Sequence, residues 1–107
     1  MRLAVALCLL PGMAAAEMQM TNGRYTCARG VQVPATYVTD ADSAIAVIGV
    51  EGTQITLFRE EAASGVRYGW PSDGSNYVWL TKDAAATLLW KDGATGVETV
   101  LLADCKM

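Results

Sequence analysis

Histidine is absent from this 107-residue chain. That excludes the usual catalytic triads and most metal sites, which rely on imidazole as base or ligand. Cysteine is scarce, with three residues, and two cysteines without histidine cannot complete the usual four-ligand zinc set. No glycine-rich phosphate loop or basic aromatic stripe occurs, so nucleotide and nucleic-acid binding have no sequence support. Ser64 stands in Ala63-Ser64-Gly65 with no base nearby, which is not a nucleophile-elbow pattern. The carboxylates are scattered and mostly adjoin turn residues, and nothing marks a pair for glycoside chemistry. Repeats, linkers and low-complexity segments are missing as well. One domain, without metal or cofactor, fits these absences, and a binding role fits better than catalysis.

What is present begins with an export pattern. Arg2 forms a short basic start and Leu3 to Leu10 an apolar run. Pro11-Gly12 breaks that run, and Ala14-Ala15-Ala16 suits signal cleavage before Glu17. The run is too short for a membrane helix, which needs about 20 residues. Residues 1–16 therefore read as a signal peptide and 17–107 as the mature domain. Cys8 invites a lipoprotein reading, but Leu7 is not the small residue a lipobox requires, and Cys8 comes too early. The product is expected to be soluble, without a membrane anchor.

Export leaves Cys27 and Cys105 near the two ends of the mature chain. In an oxidising compartment they most simply form one disulfide, the kind of staple small domains need. Loss of Arg2 leaves seven basic residues against eleven acidic ones, a net charge of −4. That balance disfavours a nucleic-acid surface and suits a basic partner.

Turn signals recur at short intervals between β-type segments, the pattern of a small all-β sandwich or barrel. Asn22-Gly23 reads as a turn before Arg24 to Cys27, and Arg29-Gly30 precedes a strand over Val31 to Val38. Pro34 marks that strand as an edge or a bulge. Ala44 to Val50 and Thr53 to Arg59 form the clearest hairpin, joined by Glu51-Gly52. Val66 to Trp70, Tyr77 to Thr81 and Val97 to Leu102 supply further strands. Asp83 to Trp90 has the capping and propensity of a short helix, yet its following Lys91-to-Gly96 stretch suits a hairpin loop. Because propensity is a weak prior, the segment is read as a strand.

Two segments carry the functional signal. Ser64-Gly65-Val66-Arg67-Tyr68 is a small loop opening that ends in an Arg and an aromatic. Tyr77 to Leu88 places Thr81-Lys82 at a strand end. Spacing alone allows a plain turn and a solvated lysine. However, the chain resembles the MliC/PliC family of bacterial c-type lysozyme inhibitors at these residues. Ser64, Gly65 and Tyr68 match that family's Ser-Gly-x-x-Tyr motif. Tyr77, Thr81, Lys82, Ala86 and Leu88 match its Tyr-x-x-x-Thr-Lys-Gly-x-x-Ala-x-Leu motif. Cys27 and Cys105 flank both, as in the family, so the resemblance spans nearly all of the mature chain.

The resemblance implies an eight-stranded antiparallel β-barrel and c-type lysozyme as partner, and the missing lipobox moves the chain from the family's membrane-bound branch toward its soluble, periplasmic one. It implies that the serine loop and the lysine enter the lysozyme cleft and occupy its catalytic carboxylates. A hydroxyl and an ammonium are suitable donors to such acceptors. Ser64 and Lys82 are then the contact residues. Gly65 allows close backbone approach, and Tyr68 and Thr81 support the loops. Asp83 departs from the family glycine and puts a carboxylate beside the lysine. Lys106 lies outside both motifs and is expected to be a remote rim charge. Two other readings fit the residues: a cell-envelope barrel without inhibitory activity, or a binder of another cell-wall glycosidase such as goose-type or invertebrate-type lysozyme.

Overall fold

The computed structural model describes residues 17–107, and the expected signal peptide with Cys8 lies outside the described residues. Eight strands follow in order: β1 (Gln19–Thr26), β2 (Gln32–Thr39), β3 (Ala44–Val50), β4 (Thr53–Glu60), β5 (Val66–Gly69), β6 (Asn76–Lys82), β7 (Ala85–Lys91) and β8 (Glu98–Lys106). A single 3-10 turn, Ala28–Gly30, separates β1 from β2. Each strand pairs with its successor and β8 returns to β1, closing an antiparallel barrel. The all-β expectation holds.

Period-two alternation builds the wall. Ala44, Ala46, Ile48 and Val50 of β3 all point into the core, and Leu57 does so from β4. The core mixes small and large side chains, as the taper of a narrow barrel requires. Ala35, Ala46 and Ala86 leave room for Tyr25, Tyr68 and Trp79. Full burial of Val33, Ile48, Leu57 and Leu88 contributes about 1.5–3 kcal/mol for each side chain.

At the centre the Tyr37 hydroxyl accepts a 2.8 Å hydrogen bond from Trp79 Nε1. It also shares a 2.8 Å bond with the Tyr25 hydroxyl. Tyr25 meets Trp79 edge-on, with ring centroids 5.2 Å apart. Burial is the main cause that pushes the Tyr37 phenol well above its ordinary value. It therefore remains a neutral member of this network.

The hairpin between β3 and β4 forms as read. Glu51 and Gly52 both have positive φ, 53° and 78°, as a two-residue hairpin turn of the primed type needs. Ala85–Lys91 is a strand, in line with the reading of the 83–90 segment, although Asp83 and Ala84 form the turn that precedes it. Other boundaries need correction. Asn22-Gly23 is not a turn but lies inside β1, opposite Thr36 and Ala35. Thr36 Oγ1 donates to Asn22 Oδ1 at 2.8 Å, so the asparagine serves the cross-strand pair instead of a bend.

Strand β8 runs on to Lys106, past the expected end at Leu102. Register shifts against β7 interrupt its alternation, which is why the pattern fades early. Pro34 sits inside the barrel wall and not on a free edge. The ladder between β2 and β3 begins only at Ala35, so the missing N–H falls where pairing on that side has not begun. Gly49 faces the proline ring, and a Cβ there would lie 3.0 Å from Pro34 Cγ.

The barrel closes at a narrow seam. Among the described residues β1 and β8 share one ladder pair, Thr26 with Lys106. The next residue of β1's exit and the preceding residue of β8 are the expected disulfide, Cys27–Cys105. A covalent bond thus lies beside the point where hydrogen bonding is thinnest.

Candidate functional site

The two sequence motifs sit on neighbouring connections at one end of the barrel. Residues 61–65 link β4 to β5, and Asp83-Ala84 turns β6 into β7. Register brings them together, because Val66 pairs with Thr81 at the mouth of both loops. Thr81 Oγ1 donates to the Val66 carbonyl at 3.3 Å, tying one loop base to the other.

Gly65 sets the approach. Its φ is 71°, and a Cβ placed on it would run into the Thr81 carbonyl oxygen and stand 3.3 Å from Lys82 Cβ. Both its handedness and its lack of a side chain are therefore needed. The backbone of the serine loop lies directly on the backbone that carries Lys82. Ser64 and Lys82 are both exposed, and the structure brings them into one surface.

The remaining motif residues support this surface. Tyr68 is only 7% exposed and packs in the core on Tyr37, with ring centroids 5.6 Å apart. Burial raises its phenol above the ordinary value and keeps it neutral. It is out of reach of a partner and anchors β5 behind the serine loop. Tyr77 stacks edge-on with Trp90 at 5.0 Å, while Ala86 and Leu88 are buried in the wall. Asp83 has φ of 57°, so this turn does demand the left-handed region that glycine fills freely and Asp tolerates.

Arg67, inside the Ser64-to-Tyr68 motif but not one of its defining residues, clamps the base of the serine loop. Its Nε donates to Glu60 Oε1 at 2.7 Å. Its two terminal nitrogens grip both oxygens of Glu98, with Nη1 to Oε1 at 3.0 Å. Glu60 and Arg67 are the paired residues that bracket the loop, and Glu98 belongs to β8. The guanidinium hydrogen bonds hold the Glu98 carboxyl below its ordinary range and push Arg67 further up. Opposite charges seven residues apart across a turn were the available signal for the Glu60 contact, but the reach to Glu98 depends on barrel closure.

The residues from Tyr25 to Gly96, which include both motifs, match a family described as membrane-bound lysozyme-inhibitor of c-type lysozyme. The chain belongs to this family. Its structure is similar to the crystal structure of Pseudomonas aeruginosa MliC in complex with hen egg white lysozyme. The two share 29% sequence identity over 96% of this chain and 95% of that one, with a TM-score of 0.62. No curated protein matches the chain. This is a family of lysozyme inhibitors, not of enzymes. The matched region ends before Cys105 and Lys106, so the closing strand of the barrel lies outside it.

Proposed function

We propose that this chain inhibits c-type lysozyme by seating the Ser64 loop and the Lys82 ammonium in the substrate cleft. A retaining glycosidase keeps two carboxyl groups about 5–5.5 Å apart, one an acid and one a nucleophile. A hydroxyl and an ammonium presented together engage both, and a charge-assisted bond to each is stronger than a neutral one. The observation that carries this reading is the contact of Gly65 with Thr81 and Lys82. It fuses two loops into one rigid projection before any partner arrives, so little ordering cost remains for binding.

The tripartite N terminus supports export to the periplasm, and Leu7 before Cys8 favours a soluble product over a lipid-anchored one. Intact mass of the exported protein, expected to begin near Glu17 without acyl chains, checks that part.

The activity test is lysis of bacterial cells by c-type lysozyme in the presence of the mature protein, with goose-type and invertebrate-type enzymes in parallel. Selective suppression of the c-type enzyme is expected. Suppression of another type alone would redirect the reading to a different glycosidase, and no suppression at all would leave a scaffold without the activity.

A further inference from the structure

Lys106 was expected to be a distant rim charge, and the strand register places it elsewhere. Lys82 is directly opposite Ala85 across the β6–β7 ladder, and Ala85 is directly opposite Lys106 across the β7–β8 ladder. Directly opposed residues in a sheet share a face. Their neighbours Ala86 and Cys105 are buried at 4% and 0% exposure, so Lys82, Ala85 and Lys106 all face outward. The two lysines thus flank a single alanine, two strand spacings or about 10 Å apart. Both are exposed, and among the described residues every ion pair centres on Arg67, which leaves both ammonium groups uncommitted.

We infer that Lys106 is a second cationic contact of the lysozyme-binding surface, one that offsets the carboxylate Asp83 places beside Lys82. The inference rests on the proposed inhibitory role of Lys82. Asp83 occupies the turn between the first lysine and the alanine, and its charge opposes the approach of any carboxylate-lined cleft. Asp83 cancels Lys82 within the turn, and Lys106 places a second positive charge across Ala85, with the exposed Asp104 two residues before it on β8. Ala85 between the lysines is too small to stand above them, so one acidic object can meet both. Two long stems spaced this way also straddle a cleft better than a single point charge, since each can reach a separate acceptor.

The test is binding kinetics of c-type lysozyme to the full mature protein and to four variants. These are Lys82→Ala, Lys106→Gln, Asp83→Gly and the double variant Asp83→Gly/Lys106→Gln, with unfolding midpoints measured in parallel. Lys106→Gln keeps the side-chain stem beside the seam and should leave the midpoint unchanged. It should weaken binding by about tenfold, chiefly through faster dissociation, where a rim charge alters mainly association. Asp83→Gly should tighten binding, and the double variant should return to within about threefold of the parent. Because an independent loss and gain would also cancel, the unchanged midpoint and the faster dissociation are what separate Lys106 from a merely structural lysine. Lys106→Gln binding within twofold of the parent, or a loss that Asp83→Gly does not restore, overturns the inference. A Lys82→Ala variant that binds like the parent overturns the cleft reading itself, and this inference with it.

Discussion

Gly65 rests against the Thr81 carbonyl, in a backbone conformation of positive φ and in a space that admits no side chain. Gly52 shares the positive φ, but a Cβ there would meet nothing within 4 Å. The pair separates handedness from crowding. Gly52→Ala is expected to cost about 1–2 kcal/mol, the penalty of a left-handed L-residue. Gly65→Ala adds overpacking of about 1–3 kcal/mol and should part the two loops, weakening lysozyme binding as well. Denaturation midpoints and affinities of both variants decide it, and equal costs would mean that the loop contact is not tight.

The residues proposed to enter the cleft make a second, graded prediction. If Lys82 meets a desolvated carboxylate, Lys82→Ala strands that charge and should cost about 2–5 kcal/mol of binding, mostly in dissociation rate. Ser64→Ala removes one hydrogen bond to a charged group, worth about 1.5–3 kcal/mol. Neither substitution should move the unfolding midpoint, because both side chains are exposed. Surface-based kinetics against c-type lysozyme give the answer, and unchanged dissociation rates would remove these residues from the cleft.

Much of this architecture is legible in the residues themselves. Alternation in Ala44 to Val50 and the Glu51-Gly52 turn announce their hairpin without help, because local pattern and turn chemistry agree there. Asn22-Gly23 misleads for the converse reason. A good turn dipeptide is overridden when both neighbours pair along a full-length partner strand, as Gln19–Thr26 does with β2. The end of β8 is hidden by irregular register, which breaks the period that identifies a strand. At the site, the motifs point to Ser64 and Lys82 by resemblance. The neighbourhood of Lys106 and the grip of Arg67 on Glu98 exist only after strands distant in sequence are placed side by side.

The Tyr37 hydroxyl serves two buried neighbours, Trp79 and Tyr25, which are 0% and 2% exposed. Tyr37→Phe leaves both polar atoms without this partner in the interior, and a cost of about 1–3 kcal/mol is expected. Tyr77→Phe is the reference, since the Tyr77 hydroxyl makes no hydrogen bond among the described residues. Urea unfolding of the two variants compares them, and equal midpoints would show that the central network adds nothing.

Glu98 should make stability depend on acid. Hydrogen bonding to Arg67 lowers its folded-state pKa from the ordinary 4.5. Its contribution is therefore complete above that unfolded value and is lost as pH falls through the lowered folded one. Asp40 is shifted the same way by backbone donors from Asp42 and Ser43, so the parent protein carries both effects. Glu98→Gln should lose less stability than the parent between pH 6 and about pH 3. Thermal midpoints across that range test this, and parallel curves for the two proteins would dismiss the ion pair as a source of acid sensitivity.

Removing the staple is the fifth test. The double variant Cys27→Ser/Cys105→Ser avoids a stray thiol and should lower stability by about 2–5 kcal/mol, the usual cost of losing the bridge of a small domain. Because the bridge adjoins the single Thr26–Lys106 pair, hydrogen exchange should rise first in β1 and β8. Uniform exchange along the barrel would place its contribution elsewhere.

Among the described residues, seven of the eight ladders join strands that follow one another along the chain, and one joins β1 to β8. Seven can form by zipping outward from short turns, with little chain to gather before contacts form. The eighth must bring Lys106 to Thr26 from the far end of the strand series and gains a single ladder pair for doing so. The entropy of bringing the chain ends together is thus concentrated at one place and one step, which by this order comes last. In an oxidised chain that cost is already met before folding begins. The cysteine pair therefore governs the order of assembly as well as the strength of the finished protein.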